Sequence, residues 1–214
     1  MLRKVIGAEK GLMTRGSIVA VAGNITRPSR TAALLTAILA EVAARSGGQG
    51  RLVELVDIGP ELFQAVVPDS FESFEAFAAK RLSSRARSVI KAVETADALV
   101  VGTPVYKGSY TGALKHLFDL IPPNALAGKP VLLAATGGSP LHGLVIEQEL
   151  RPLFGFFKAL AIPASIFALE SDFQGYRVER PDLLERVSRA AAELSDVLAM
   201  QRTSRRLEPA LATA

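Results

Sequence analysis

Ser29, Arg30 and Thr31 stand side by side, with Thr26 and Arg27 just upstream. Hydroxyls and guanidinium groups clustered this tightly can gather around one anion, the hydroxyls through neutral hydrogen bonds and the arginines through charge-assisted ones. Two elements must position them. Ser17-Ile18-Val19-Ala20-Val21-Ala22-Gly23 is an apolar, β-branched run closed by a glycine, which reads as a buried parallel strand. Ser29 then suits the N-cap of a helix that continues through Ala32-Ala33-Leu34-Leu35. A loop between such a strand and such a helix faces free backbone N–H groups and the positive end of the helix dipole. The chemistry suggested is phosphate binding. The plainer reading is a strand–turn–helix with capping hydroxyls and surface arginines, and this stretch alone leaves both open.

The loop lacks the Gly-Lys-Ser/Thr ending of a Walker A loop and the Gly-x-Gly-x-x-Gly of a dinucleotide fingerprint. It has no nucleophilic cysteine for phosphatase chemistry and no acidic residues for a receiver domain. What remains is a loop that holds a phosphate monoester through side chains and backbone, as flavodoxin-like proteins hold FMN.

The composition narrows the setting. A chain of 214 residues, 49% hydrophobic, suits one domain with a sizeable core. Charged or polar residues interrupt every apolar run before it could span a bilayer, so no membrane segment is expected. Residues 1–16 read as a disordered extension without a secretory signal, and Met13 is a plausible start. Residues 17–202 form the domain and residues 203–214 a flexible tail. There is no cysteine, which excludes disulfides, thiolate catalysis and cysteine-ligated metal. With only His116 and His142, a multi-histidine metal site is not expected either. A cytoplasmic location is expected. The net charge of +4 carries no aromatic-interleaved basic patch, so nucleic acid is not an expected partner. A basic chain is a poor electron-carrier flavodoxin, which would be strongly acidic, and suits an enzyme that attracts anionic FMN and nicotinamide dinucleotides.

Further along, a helix from Ser29 to Arg45 is closed by Gly47-Gly48, and Arg51–Val56 forms a second strand. Phe71–Ala96 reads as a long helix with an apolar stripe that includes Phe74, Phe77, Val89 and Val93. Asp97–Gly102 and Lys129–Ala135 are strands three and four, with a helix at Gly112–Ile121 between them. His142–Leu160 is a helix in which Arg151-Pro152 predicts a kink or widening near Gln148. Pro163–Ala168 is a short fifth strand, a loop with Asp172 and Tyr176 follows, and a last helix starts near Pro181. Five alternations of strand and helix predict an α/β fold, a doubly wound five-stranded parallel sheet in a three-layer α/β/α arrangement. Ligands of such sheets sit beyond the carboxyl ends of the strands. Three loops there, Gly23–Thr31, Pro104–Ser109 and Thr136–Pro140, suffice for FMN: the first for the phosphate, the others for the isoalloxazine ring. Tyr106 can stack on a ring or serve as a packing anchor.

Read together, Gly-x-x-x-x-Pro-Ser-Arg-Thr after strand one, Pro-Val-Tyr-Lys-Gly-Ser-Tyr-x-Gly-x-Leu-Lys after strand three and Ala-Thr-Gly-Gly after strand four resemble the NAD(P)H-dependent FMN reductases. The resemblance spans Ser17 to Tyr176 and is narrowest to the reductases that supply reduced FMN to alkanesulfonate and methanesulfonate monooxygenases. It implies a flavodoxin-like fold, a homodimer or homotetramer, and FMN and NAD(P)H as cofactors. By the same resemblance, Ser29, Arg30 and Thr31 hold the FMN phosphate. Pro104, Val105, Tyr106, Lys107 and Gly108 line the ring, with Thr136, Gly137 and Gly138. Asn24 and Thr26 join them from loop positions where the family carries serine and arginine. Gln148 stands where the sulfonate-linked members insert a tyrosine or histidine in a widened helical turn.

The hard chemistry belongs to the flavin, so no catalytic side chain is expected; the protein supplies position and electrostatics. Lys107 either offsets charge on the reduced ring or is solvated, His142 caps or packs at its helix start, and His116 is structural. Three functions compete: a reductase that releases reduced FMN to a monooxygenase, a flavoenzyme that keeps FMN and reduces quinones, azo dyes or nitro compounds, and a non-catalytic flavodoxin-like carrier. The motifs favour the first, and the basic charge disfavours the third.

Overall fold

The computed structural model describes residues 16–64 and 81–211. Its centre is a five-stranded parallel sheet of β1 (Ser17–Ala22), β2 (Gln49–Glu54), β3 (Ala98–Pro104), β4 (Pro130–Gly137) and β5 (Leu160–Leu169), in the order β2-β1-β3-β4-β5. This is the flavodoxin-like order, with its topological switch point between β1 and β3. Successive side chains of a strand point to opposite faces, and β1 shows the consequence. Val19 and Val21 join one buried cluster, while Ile18, Ala20 and Ala22 join the other. Strands buried on both faces need apolar residues at every position, which is why these runs do not alternate.

Helices α1 (Arg30–Ser46) and α6 (Pro181–Leu211) cover one face through Leu34, Leu35 and Ile38 and through Leu183, Ala191 and Leu194. The other face is covered by α3 (Ser84–Thr95), α4 (Gly112–Asp119) and α5 (Arg151–Phe156). The short α2 (Gly59–Leu62) buries Leu62 there. A Cβ on Gly102 would lie 2.3 Å from Leu35 Cδ1, so glycine at this point of β3 lets α1 approach the sheet.

Several boundaries differ from those read in the sequence. β2 starts at Gln49, because Gln49 pairs with Ser17 at the lower end of β1, and it stops at Glu54, where Leu55–Asp57 turn into a 3₁₀ segment. Of the helix expected over Phe71–Ala96, residues 71–80, with Phe74 and Phe77, lie outside the described residues, and α3 starts after an extended N-cap at Ser83. α6 continues as helix through Leu211, past the start expected for the tail.

β5 is longer than expected and includes Pro163. Proline is tolerated there because β5 is an edge strand, and the register with β4 shifts between Val131 and Leu133. The carbonyls freed at that irregularity are met by Arg151, whose Nη1 donates to Ala161 O at 3.3 Å and Ile162 O at 2.9 Å. The loop after β5 contains a two-stranded hairpin, β6 (Phe173–Gln174) with β7 (Arg177–Val178), that turns through Gly175 at φ 63°.

The predicted widening near Gln148 is a π-helical turn, Ile146–Leu150, in which the Arg151 N–H reaches back five residues to Ile146 O. Pro152 follows directly and has no N–H to offer the Gln148 carbonyl, so a regular ladder cannot continue through this point.

Candidate functional site

Each loop at the carboxyl edge of the sheet is anchored from beneath. Gly23 N donates to Gly102 O at 2.7 Å, and Thr111 Oγ1 donates to Gly23 O at 2.7 Å while capping α4 at Leu114 N. Asn24 is buried, and its Nδ2 donates to Glu54 Oε2 at 3.1 Å and Thr26 O at 3.2 Å. The same Glu54, with Asp57, holds Arg27 at 2.7 Å. The two carboxylates raise the Arg27 pKa above its ordinary value, first through the Glu54 hydrogen bond and then through that of Asp57. Arg27 is thereby drawn toward β2 and does not line the cavity formed by its neighbours.

The chain then reaches α1 as expected. Ser29 is the N-cap, accepting from Ala32 N at 3.2 Å, and no acidic residue occupies the first turn. The N–H groups of that turn have no intrahelical acceptor and face an anion-favouring dipole. Thr31 is buried and shares a 2.6 Å hydrogen bond with Thr136 at the end of β4. Arg30 donates to Glu170 and lies over the Tyr176 ring, 5.4 Å from its centroid.

A cavity of about 340 Å³ opens between these groups. Asn24, Thr26, Ser29, Arg30 and Thr31 form one end. Pro104, Val105 and Tyr106 form a second wall, and Thr136, Gly137 and Gly138 a third. Val105 N donates to Thr136 O at 2.8 Å, which joins those two walls. Lys107 and Gly108 do not line the cavity. They are the central residues of a tight turn, with φ 52° and 81°, closed by paired backbone bonds between Tyr106 and Ser109. Positive φ at both central positions is the signature of a type I′ turn, whose twist matches the strands it joins. Lys107 is exposed and solvated. Ser109 Oγ donates to Glu149 Oε2 at 3.0 Å, so the π-helical turn braces this loop.

Sequence reasoning missed three lining residues: Pro28, and Glu170 and Tyr176 from the segment after β5. The signal was present, since that segment too leaves the carboxyl end of a strand, but no motif marked it. Pro28 follows a cis Arg27–Pro28 bond. His116 is remote from the cavity, with Nε2 against Leu62 O at 2.8 Å and its ring stacked with Phe63. His142 ends a short 3₁₀ turn, Pro140–His142, and does not line the cavity. No cluster of potential metal ligands occurs among the described residues.

The donor set fits a flavin mononucleotide. One end carries hydroxyls, a guanidinium and first-turn N–H groups; the walls beyond it are backbone, proline and one aromatic ring. Two buried polar atoms at the phosphate end, Asn24 Oδ1 and Arg30 Nε, have no protein partner, which is unusual for buried polar atoms and common where a ligand supplies the bond.

The chain is 44% identical over 174 residues to a protein of Pseudomonas fluorescens named NADH-dependent FMN reductase SfnF, covering 81% of this chain and 87% of that one. It is 43% identical to a Pseudomonas aeruginosa protein named FMN reductase (NADPH), covering 81% and 88%. A crystal structure of an oxidoreductase from Corynebacterium diphtheriae superimposes with a TM-score of 0.70 at 30% identity, over 87% of this chain and 98% of that one. The family model for NADPH-dependent FMN reductases matches residues 17–174, the stretch from β1 through β6 that builds the sheet and the cavity. The chain belongs to this family and is an NAD(P)H:FMN oxidoreductase with FMN and NAD(P)H as its cofactors.

Proposed function

We propose that the cavity binds FMN with its phosphate on Ser29, Arg30 and Thr31 and its ring against Pro104, Val105, Tyr106 and Thr136–Gly138, and that reduced FMN is released to a partner monooxygenase of the sulfonate-metabolism type. The observation that carries the binding reading is the unpartnered Arg30 Nε beside an N-cap that has no acidic residue in its first turn. The partner reading is supported by the sequence resemblance to reductases that supply reduced FMN to alkanesulfonate and methanesulfonate monooxygenases; the Pseudomonas fluorescens relative is likewise named an FMN reductase. Release rather than retention is supported by the π-helical turn Ile146–Leu150, which forms with glutamine at position 148. Such turns often mark functional sites.

When bound, FMN would supply the hydride-accepting chemistry and the reduced nicotinamide the hydride. The chain's part is to hold the two rings in stacking distance and to keep one face of the site open. Tyr106, 45% exposed at the cavity mouth, borders that face. No side-chain acid or nucleophile is required.

The working form is a homodimer or homotetramer in the cytoplasm. Leu141, Leu144 and Phe156 support assembly, being 88%, 61% and 66% exposed. An apolar groove of about 340 Å³ between Phe118, Leu153 and Phe156 does so too. Among the described residues no helix is long and apolar enough to cross a membrane.

Steady-state assays with NADH or NADPH, comparing free FMN with a quinone as acceptor, test this function. Turnover of added FMN by protein that desalts colourless supports it. A retained flavin spectrum near one equivalent per chain, with no reduction of free FMN, would replace it with the quinone- or azo-reductase reading.

A further inference from the structure

Among the described residues that line the cavity, Arg30 is the cation and Glu170 the anion. The wall that would receive a phosphate dianion therefore carries no net positive charge. The two side chains are ion-paired, although 140 residues separate them in sequence.

Glu170 is not presented by a loose loop. It opens a 3₁₀ turn, Glu170–Asp172, directly after β5. Asp172 is 8% exposed and accepts from Leu169 N at 2.8 Å. Arg186 lies 3.6 Å from the same carboxylate and donates to Phe167 O at 2.7 Å. The backbone under Glu170 is thus held on both sides, while the Glu170 side chain is 67% exposed. Arg30 is held differently. Its guanidinium lies over Tyr176, and its Nε is buried without a partner even while Glu170 takes the Nη2 donor. A phosphate that approaches this guanidinium therefore finds Nη2 already taken by a carboxylate.

We infer that Glu170 is a built-in competitor of the flavin phosphate for Arg30, and that it sets how readily FMN leaves the site. Without flavin, Glu170 keeps the guanidinium over the cavity. When a phosphate takes Arg30, the carboxylate loses its partner and stands beside a second negative group. Both effects raise the energy of the bound state relative to the free one. Riboflavin has no phosphate and experiences neither, so the effect is specific to the phosphorylated flavin. A reductase whose product must depart has use for such a residue. This inference rests on the assignment of the phosphate to Ser29, Arg30 and Thr31.

The test measures FMN and riboflavin dissociation constants by flavin fluorescence, and the FMN dissociation rate by stopped flow, for the full chain and for Glu170→Gln, Glu170→Ala and Arg30→Ala. Removing an exposed charge competitor is expected to tighten FMN by about threefold or more and to slow its dissociation correspondingly. Riboflavin affinity should be unchanged in both Glu170 variants. Glu170→Ala serves as the second variant because it leaves no amide to bond Arg30. If both Glu170 variants bind FMN no more tightly while Arg30→Ala still loses FMN selectively, the competitor role is wrong and the phosphate assignment stands. If the Glu170 variants tighten riboflavin as much as FMN, the carboxylate acts on the ring or ribityl chain and the competitor role is also wrong. If Arg30→Ala weakens FMN and riboflavin equally, the phosphate assignment itself fails.

Discussion

Thr31 and Thr136 share one hydrogen bond of 2.6 Å between two buried hydroxyls that lie 105 residues apart. It joins the first turn of α1 to the end of β4 and so fixes the distance between the phosphate end of the cavity and one of the ring walls. Thr31→Val would leave the Thr136 hydroxyl buried and unpaired, and should lower unfolding free energy by about 1–3 kcal/mol. The double variant Thr31→Val/Thr136→Val removes both polar groups together. Its loss should be smaller than the sum of the two single losses, as measured by denaturant unfolding of all four proteins.

Arg30→Ala should weaken FMN by about tenfold or more, since charge-assisted hydrogen bonds contribute roughly 1.5–3 kcal/mol. Riboflavin should lose much less. Tyr176 acts on the same guanidinium through its ring face. Tyr176→Ala should therefore cost FMN affinity by about two- to fivefold, in keeping with an exposed cation–π contact of roughly 0.5–1 kcal/mol. Tyr176→Phe keeps the ring and should match the parent protein in the same titration.

Lys107 adopts φ 52° in the turn beside the cavity, a conformation that side chains with a Cβ resist. Lys107→Gly should hold or raise the melting temperature. Lys107→Val adds a β-branch at positive φ and should destabilise the protein by about 1–2 kcal/mol. A valine variant as stable as the parent would show that the turn relaxes to another type.

Arg151 ties the π-helical turn to the irregular stretch of β5, and its Nε lies 2.5 Å from Glu147. That hydrogen bond is the main cause of a Glu147 pKa below its ordinary value of 4.5, and burial opposes it. A carboxylate whose folded pKa is depressed contributes stability above its unfolded pKa and loses it as the pH falls through the folded value. The pair is partly exposed, with side-chain accessibilities of 27% and 46%, so the contribution is that of a surface bridge, about 1 kcal/mol or less. Stability measured from pH 7 downward should fall below about pH 4.5, and Glu147→Gln should flatten that part of the profile. Arg151→Met should cost more than Glu147→Gln, because it also strands the Ala161 and Ile162 carbonyls.

The strands, the N-cap and the widened turn were legible in the sequence because each is decided locally. β1 follows from an unbroken apolar run, Ser29 from a hydroxyl set before a helix-forming segment, and the Gln148 turn from a proline with no N–H to give. Most of the cavity was legible too, since a parallel sheet brings every loop that leaves a carboxyl strand end to one edge. Tertiary structure alone decided which charges meet there. Arg27 and Arg30 look alike in the sequence, yet Arg27 is drawn aside by Glu54 and Asp57, and Arg30 spans the cavity to Glu170. Glu54 ends β2 and Asp57 closes the 3₁₀ segment after it, and Glu170 follows β5, strands at opposite edges of the sheet. Ion pairing depends on separations of a few ångströms, and those separations exist only after the sheet order has placed one strand end beside another.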